Sequence, residues 1–202
     1  MTAPEAHDML KTAGGLAALA LFAPMFAQAR RDGGAGQSCA TWLLWGTLDI
    51  ILTASIVRQR GNFLLPLGFA IGDFLLVVLL VVEKRFSWGG FETIILALVS
   101  GSVVAWYFGG SRTATIAATL GICVAGIPGF IALWRDPRPK IGTLWLGYVA
   151  ANLLSFFGGT AMTIGERFAP GVFAIYSFVM FLAGRRPPGP GRQASTESQP
   201  NV

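Results

Sequence analysis

The chain has 202 residues, of which 53% are hydrophobic and only 12% charged, and its mean hydropathy is +0.61. That balance excludes a soluble globular domain and predicts an integral membrane protein. The formal charge of +5 is scattered over short connecting stretches rather than gathered into a patch, which argues against nucleic-acid binding.

Uncharged or nearly uncharged stretches follow one another at 12–29, 41–57, 61–82, 93–111, 113–134, 141–165 and 168–184. Each is about the 17–25 residues that a helix needs to cross roughly 30 Å of hydrocarbon. None has the short alternation of barrel strands, and backbone in lipid must satisfy its own hydrogen bonds, so seven transmembrane helices are predicted. The first stretch has a competing reading. "GGLAALALFAPMFAQA" ends on the small-x-small pattern Ala27-Gln28-Ala29 of a cleavable signal peptide, although its leader carries Glu5 and Asp8 against a single Lys11. Sequencing the N-terminus of the purified protein separates seven mature helices from six.

The basic residues set the orientation. Arg30, Arg31, Lys84, Arg85, Arg135, Arg138, Lys140, Arg185, Arg186 and Arg192 fall on one side, and Lys11, Arg58, Arg60, Arg112 and Arg167 on the other. The first side is predicted to be cytoplasmic, with the N-terminus outside and the C-terminus inside an inner membrane. The tail from 187, "PPGPGRQASTESQPNV", is too rich in Pro, Gly and polar residues to bury a core and is predicted to be disordered.

The chain also repeats itself. "FAPMFAQARRDGG" (22–34) and "GIPGFIALWRDPRP" (126–139) carry a proline, Pro24 or Pro128, seven and eight residues before an Arg-Asp turn, with the two copies 104 residues apart. At the same offset "PLGFAIGDF" (66–74) falls on "PGVFAIYSF" (170–178), which lays Asp73 over Ser177. A one-residue slip puts "WLLWGTLDII" (42–51) over "WLGYVAANLL" (145–154), pairing Trp42 with Trp145, Trp45 with Tyr148 and Asp49 with Asn152. The first three segments thus correspond to the last three, and the fourth is unpaired. An odd number of helices would invert a directly joined copy, so the single linker helix keeps both copies in one orientation. The expected organisation is an extracytoplasmic tail (1–11), a three-helix repeat (12–85), a linker helix (86–111), a second repeat (112–186) and a cytoplasmic tail (187–202).

With a proline in the first helix of each repeat, a basic loop after it and next a W-x-x-W helix (Trp42, Trp45), which stands as W-x-x-Y in the second copy (Trp145, Tyr148), the chain resembles the PQ-loop superfamily of SWEET and SemiSWEET sugar transporters. The resemblance is stronger to that superfamily's bacterial seven-helix members, over about residues 12 to 186. The dipeptide that names the superfamily stands here as Pro24-Met25 and Pro128-Gly129, so the resemblance carries fold and topology further than it carries substrate. The bacterial nicotinamide riboside transporters are similar in their 3+1+3 plan. The resemblance implies a central pocket with a polar residue in the third helix of each repeat, which here is Asp73 and Ser177.

Spacing adds the rest. Trp42, Trp45 and Asp49, and likewise Trp145, Tyr148 and Asn152, stand at i, i+3 and i+7, so each trio shares a helical face. Asp49, Asp73, Asn152 and Ser177 fall near mid-helix. An Asp at the bilayer centre costs about 2.5–3.5 kcal/mol on insertion scales, so it should face a wet cavity or a partner. A solute pocket with stacking rings and polar groups follows, against the plainer alternative of interhelical glue and interfacial tryptophans. Two intramembrane carboxyls also allow proton coupling. Pro24 and Pro128 each remove a backbone hydrogen bond nearer the cytoplasmic mouth, as a hinge pair or as static kinks.

Cys39, Cys123 and His7 form no metal-ligand, disulfide or redox spacing, and no nucleophile elbow or phosphate loop is present, so neither an enzyme, a metal nor a cofactor is expected. The expected function is transport of a small polar solute, sugar-like or vitamin-like, by alternating access. The alternative is a membrane receptor, sorting or regulatory protein of the same fold that binds without transporting. The partners are a solute and the lipid bilayer; a monomer suffices in principle, and a homo-oligomer stays open.

Overall fold

In the computed structural model, residues 2–31 and 38–187 are described, and among them the regular structure is all helical. The Asp32-Gly33-Gly34 stop and the tail from 188, with Arg192, lie outside the described residues. The helices are α1 (Ala3–Ala20), α2 (Phe22–Arg31), α3 (Cys39–Arg58), α4 (Leu64–Val82), α5 (Gly90–Ala125), α6 (Ile127–Arg135), α7 (Pro139–Gly158) and α8 (Ala169–Arg185), with a π-turn at Ile164–Phe168 before α8.

Six helical spans are long and apolar enough to cross a membrane: Ala3–Ala27, Cys39–Arg58, Leu64–Val82, Gly90–Arg135, Pro139–Gly158 and Ile164–Arg185. That is the character of a membrane protein. The fourth is too long to be one crossing. Its 46 residues would run roughly 70 Å as a single helix, about twice the hydrocarbon thickness. It is broken inside α5 by Gly110, at φ 75° and ψ −174°. A side chain is strained at that φ, so the break falls on the second residue of the Gly109-Gly110 pair.

The first helix starts at Ala3, well before the predicted start at 12. Thr2 and Glu5 form a capping box and Pro4 sits in the first turn, so residues taken as a polar tail are an ordered helix start. The helix is interrupted at Leu21, three residues before Pro24; α5 likewise gives way to α6 at Gly126, two residues before Pro128. Both prolines therefore sit in the first turn after an interruption, where a missing N–H costs least.

Helix neighbours follow one pattern twice. α4 packs between α1 and α3, and α8 packs against α7 and against α5 and α6. The two groups meet where α1 lies on α7 and where α3 lies on α5. Leu48, Leu52 and Ile56 of α3 pack with Ile95, Val99 and Ala118 of α5 to form the largest core cluster.

The two ends of the bundle differ. At the end that carries Lys11, ties run between the first and second halves of the chain. Asn62 Nδ2 donates to Ser155 O and Ser155 Oγ, both at 2.9 Å, and Asn62 N donates to Gly165 O at 3.0 Å. Lys11 Nζ lies 3.5 Å from Glu166 Oε2, and Gln59 Nε2 donates to Ser111 O at 3.2 Å. Backbones touch there as well: a Cβ on Gly14 would stand 2.9 Å from Ala151 O, and one on Gly68 2.6 Å from Gly15 O. At the end that carries Arg85, hydrogen bonds join residues of the same half of the chain. Cys39 N donates to Arg85 O at 3.2 Å, Thr41 Oγ1 to Glu92 Oε1 at 2.9 Å, and Arg186 Nη2 to Trp134 O at 2.7 Å.

Candidate functional site

Midway along the bundle, between the two groups of helices, lies a cavity of about 80 Å3. All eight residues predicted to bind solute line it: Trp42, Trp45 and Asp49 from α3, Asp73 from α4, Trp145, Tyr148 and Asn152 from α7, and Ser177 from α8. Pro24 and Pro128, predicted as a hinge pair, do not. Helical spacing put each trio on one face, and the packing of α3 and α7 on opposite sides of α4 and α8 turns both faces inward.

Two carboxyls sit here in a dry setting. Asp49 is 4% exposed and Asp73 3%, and their side chains are within hydrogen-bonding reach of each other. A hydrogen bond between two carboxyl groups needs one proton between them. Asp49 Oδ1 has no protein partner. Across the cavity Asn152 is fully buried. Its Nδ2 donates to Tyr148 O at 2.7 Å, one turn back in its own helix, and its Oδ1 is unpartnered. Trp45 Nε1 and Tyr176 OH are unpartnered too. Each such buried polar atom is costly unless something in the cavity satisfies it.

The aromatic rings form a connected wall. Trp45 meets Trp42 at 5.2 Å, Trp42 meets Phe22 at 6.4 Å, Phe22 meets Tyr148 at 6.3 Å, and Trp145 bridges Tyr148 and Tyr176 at 5.4 and 5.7 Å. Edge-on contacts dominate, the geometry that ring quadrupoles favour. Tyr148 OH donates to Met25 Sδ at 3.1 Å, which holds that ring against α2.

Residues not predicted for the site also line it: Phe22, Met25, Phe69, Ile122, Phe173 and Tyr176. Phe69 and Phe173 already stood aligned in the repeated Phe-Ala-Ile, and the structure brings these two equivalent rings to 5.9 Å of each other. Phe22 and Tyr176 had no such signal, because in them the equivalence is reversed. Phe22 rests on Gly72, while its counterpart Gly126 receives the ring of Tyr176, the counterpart of Gly72. One half puts the ring on its first helix and the glycine on its third; the other half does the opposite.

A wider recess, about 590 Å3, lies toward the Arg85 end. Trp42 and Trp45 stand in its wall as well as in that of the cavity, so their indoles separate the two spaces. Glu92 lines the recess and is held by Thr41 Oγ1 and by Gly89 N, at 2.9 and 2.8 Å. Pro128 and Gly129 form part of the opposite side. Among the described residues no cluster of His, Cys, Asp and Glu is placed to hold a metal ion. No protein-family model, no curated protein and no solved structure matches the chain.

Proposed function

We propose that the protein is a membrane transporter that moves a small solute through the central cavity by alternating access. The break at Gly110 divides the longest span into a linker helix and the first helix of a second repeat, giving seven crossings in a 3+1+3 plan. The twice-repeated neighbour pattern supports that plan. So does the meeting of Phe69 with Phe173, since equivalent residues of two repeats touch only near the axis that relates them. The distribution of Lys and Arg favours an orientation with the Arg85 end in the cytoplasm and the N-terminus outside.

One observation carries the reading. Eight residues predicted by repeat and spacing line a single cavity, and three of them, Trp45, Asp49 and Asn152, each keep a buried polar atom that has no hydrogen-bond partner in the protein. Helix glue would satisfy those atoms against neighbouring helices; a solute site leaves them for the solute. The cavity is well under the roughly 300 Å3 at which ligand pockets begin. On this reading the conformation holds the site constricted, with the ties around Lys11 on its outer side and Trp42 and Trp45 on its inner side. Transport requires the Trp42–Trp45 wall to part toward the recess, and the outer ties to break in the alternate state.

The test is uptake into sealed proteoliposomes from a panel of sugars, nucleosides, vitamins and small amines. At least one solute should accumulate at several times the rate of empty vesicles, and a Trp45→Ala/Tyr148→Ala double variant should lose that uptake. Binding of a solute with no flux across the sealed membrane would replace transport by a receptor or sorting role.

A further inference from the structure

Beyond transport as such, the cavity's chemistry narrows the cargo: we infer that the site takes a compact organic monocation and exchanges it for one proton held by Asp49 and Asp73. The binding half of this inference stands without transport; the exchange across a membrane rests on the transport reading.

The cavity wall carries two acids and no Lys, Arg or His. Its other titratable groups are the hydroxyls of Tyr148 and Tyr176, with the Cys123 thiol close to Tyr176. No basic group therefore neutralises the carboxyl pair. The wall also holds indole and phenol rings, a type of ring whose faces attract cations and repel anions. Packing does not require the acids, because the equivalent positions of the second half are the neutral Asn152 and Ser177. A neutral polyol would need only hydrogen bonds, which Asn and Ser supply without placing charge near mid-membrane. Asp49, more than nine-tenths buried, is one of the lining residues, and its Oδ1 has no hydrogen-bond partner in the protein, so its carboxyl is available to balance the charge of a bound cation.

Charge counting sets the exchange ratio. A helix bundle in hydrocarbon moves most readily with a cavity of zero net charge. With no solute bound, zero charge requires a proton on each carboxyl. With a monocation bound, it requires one proton, shared between Asp49 and Asp73. Binding therefore breaks one carboxyl O–H bond and releases that proton to water while the cation takes over its charge, and the remaining proton keeps the two side chains joined. Cycling between these two neutral forms moves one cation one way and one proton the other.

Isothermal titration of the purified full-length protein with N-methylpyridinium, benzyl alcohol and benzoate presents one ring size with charges of +1, 0 and −1. N-methylpyridinium should bind at least tenfold more tightly than benzyl alcohol, and benzoate should not bind. Over the range in which both acids are protonated, the cation's Kd should fall about tenfold per pH unit, as release of one proton demands. Buffers of different ionisation heat should report the same single proton. Asp49→Asn and Asp73→Asn should each flatten that pH slope; should either fail to fold, Trp45→Leu should weaken the cation while leaving the slope intact. Benzyl alcohol or glucose binding as tightly as N-methylpyridinium, or wild-type affinity for the cation without any pH slope, overturns the inference. In sealed vesicles the two readings separate. A neutral sugar carried without pH dependence defeats cation exchange and leaves transport standing, whereas charge-selective binding with no flux of any solute defeats transport and leaves the cation site.

Discussion

The two ends of the bundle are held together by different means. Around Lys11, side chains and bare backbones of the first half of the chain meet those of the second: Asn62 bonds to Ser155, Gly14 faces Ala151, and Lys11 pairs with Glu166. Around Arg85 the bonds stay within one half of the chain, and a recess enters between α3 and the Pro128 segment as far as Trp42 and Trp45. Separating the halves at the first end means breaking several short contacts at once. At the second it means turning two indoles. The bundle thus has a zipped end and an end entered by a recess; under the proposed alternating access the second is the gated end.

The largest disruption should come from steric change inside the first half, where α1 packs on α4. Gly68→Leu drives a side chain into the Gly15 carbonyl, a backbone atom that cannot step aside, so α1 and α4 must part. A loss of about 3 kcal/mol or more is expected, read as a large drop in melting temperature and in monodisperse yield. Gly101→Leu, where a Cβ meets nothing within 4 Å, is the control and should melt like the parent. Next in size is Asn62→Ala, which removes both bonds to buried Ser155 and costs about 2 kcal/mol. An Ala151→Cys reporter, placed in a background with Cys39 and Cys123 replaced by Ser, should then react several-fold faster with a membrane-impermeant maleimide. Unchanged labelling would mean that the zipped end is not what shuts the cavity from that side.

The parts of this arrangement that the sequence disclosed are those written in like residues. Trp42 over Trp145, Asp49 over Asn152 and Asp73 over Ser177 kept size or polarity, and helical spacing then turned them to one face. The exchange of Phe22 and Gly72 for Gly126 and Tyr176 was hidden because similarity scores the aligned pairs, while packing scores the summed volume across two helices. The start of α1 at Ala3 was masked by hydropathy, which discounts a polar first turn; the Thr2-x-x-Glu5 capping box was the signal that identifies it. Glu166 was invisible for another reason. It lies in a π-turn between two apolar segments, and only the approach of α1 brings Lys11 to it.

That ion pair sets the next prediction. Lys11 and Glu166 side chains are 16% and 10% exposed, so their attraction is only partly screened, and Lys11→Met should loosen the zipped end by about 1 kcal/mol. The Ala151→Cys reporter should gain a smaller increase in labelling than with Asn62→Ala. The exchanged pair Lys11→Glu with Glu166→Lys should restore the parental rate. Failure of the exchange to restore it would assign the effect to what the pair does besides attract: the lysine stem packed against Gly158, the Lys11–Asp8 pair at 3.9 Å, and the Thr160 N–H that donates to Glu166 Oε2 at 3.3 Å.

The smallest effect on stability and the most selective effect on motion are expected at the gated end. Pro24 and Pro128 follow the interruptions at Leu21 and Gly126, are exposed, and belong to no wall of the central cavity. Alanine at both positions supplies N–H groups that can rejoin the helices across the interruptions, with little cost to packing. Melting temperature and solute affinity should therefore stay close to those of the parent. Flux should fall several-fold, because the segments after the interruptions can no longer swing separately from the parts of α1 and α5 that are packed on α4, α7 and α3. Pro128→Ala alone should account for most of the loss, since only Pro128 borders the recess into which Trp42 and Trp45 must open. Equal flux in the double variant and the parent would make both interruptions static bends, and the gate would then lie in the rotation of the two indoles alone.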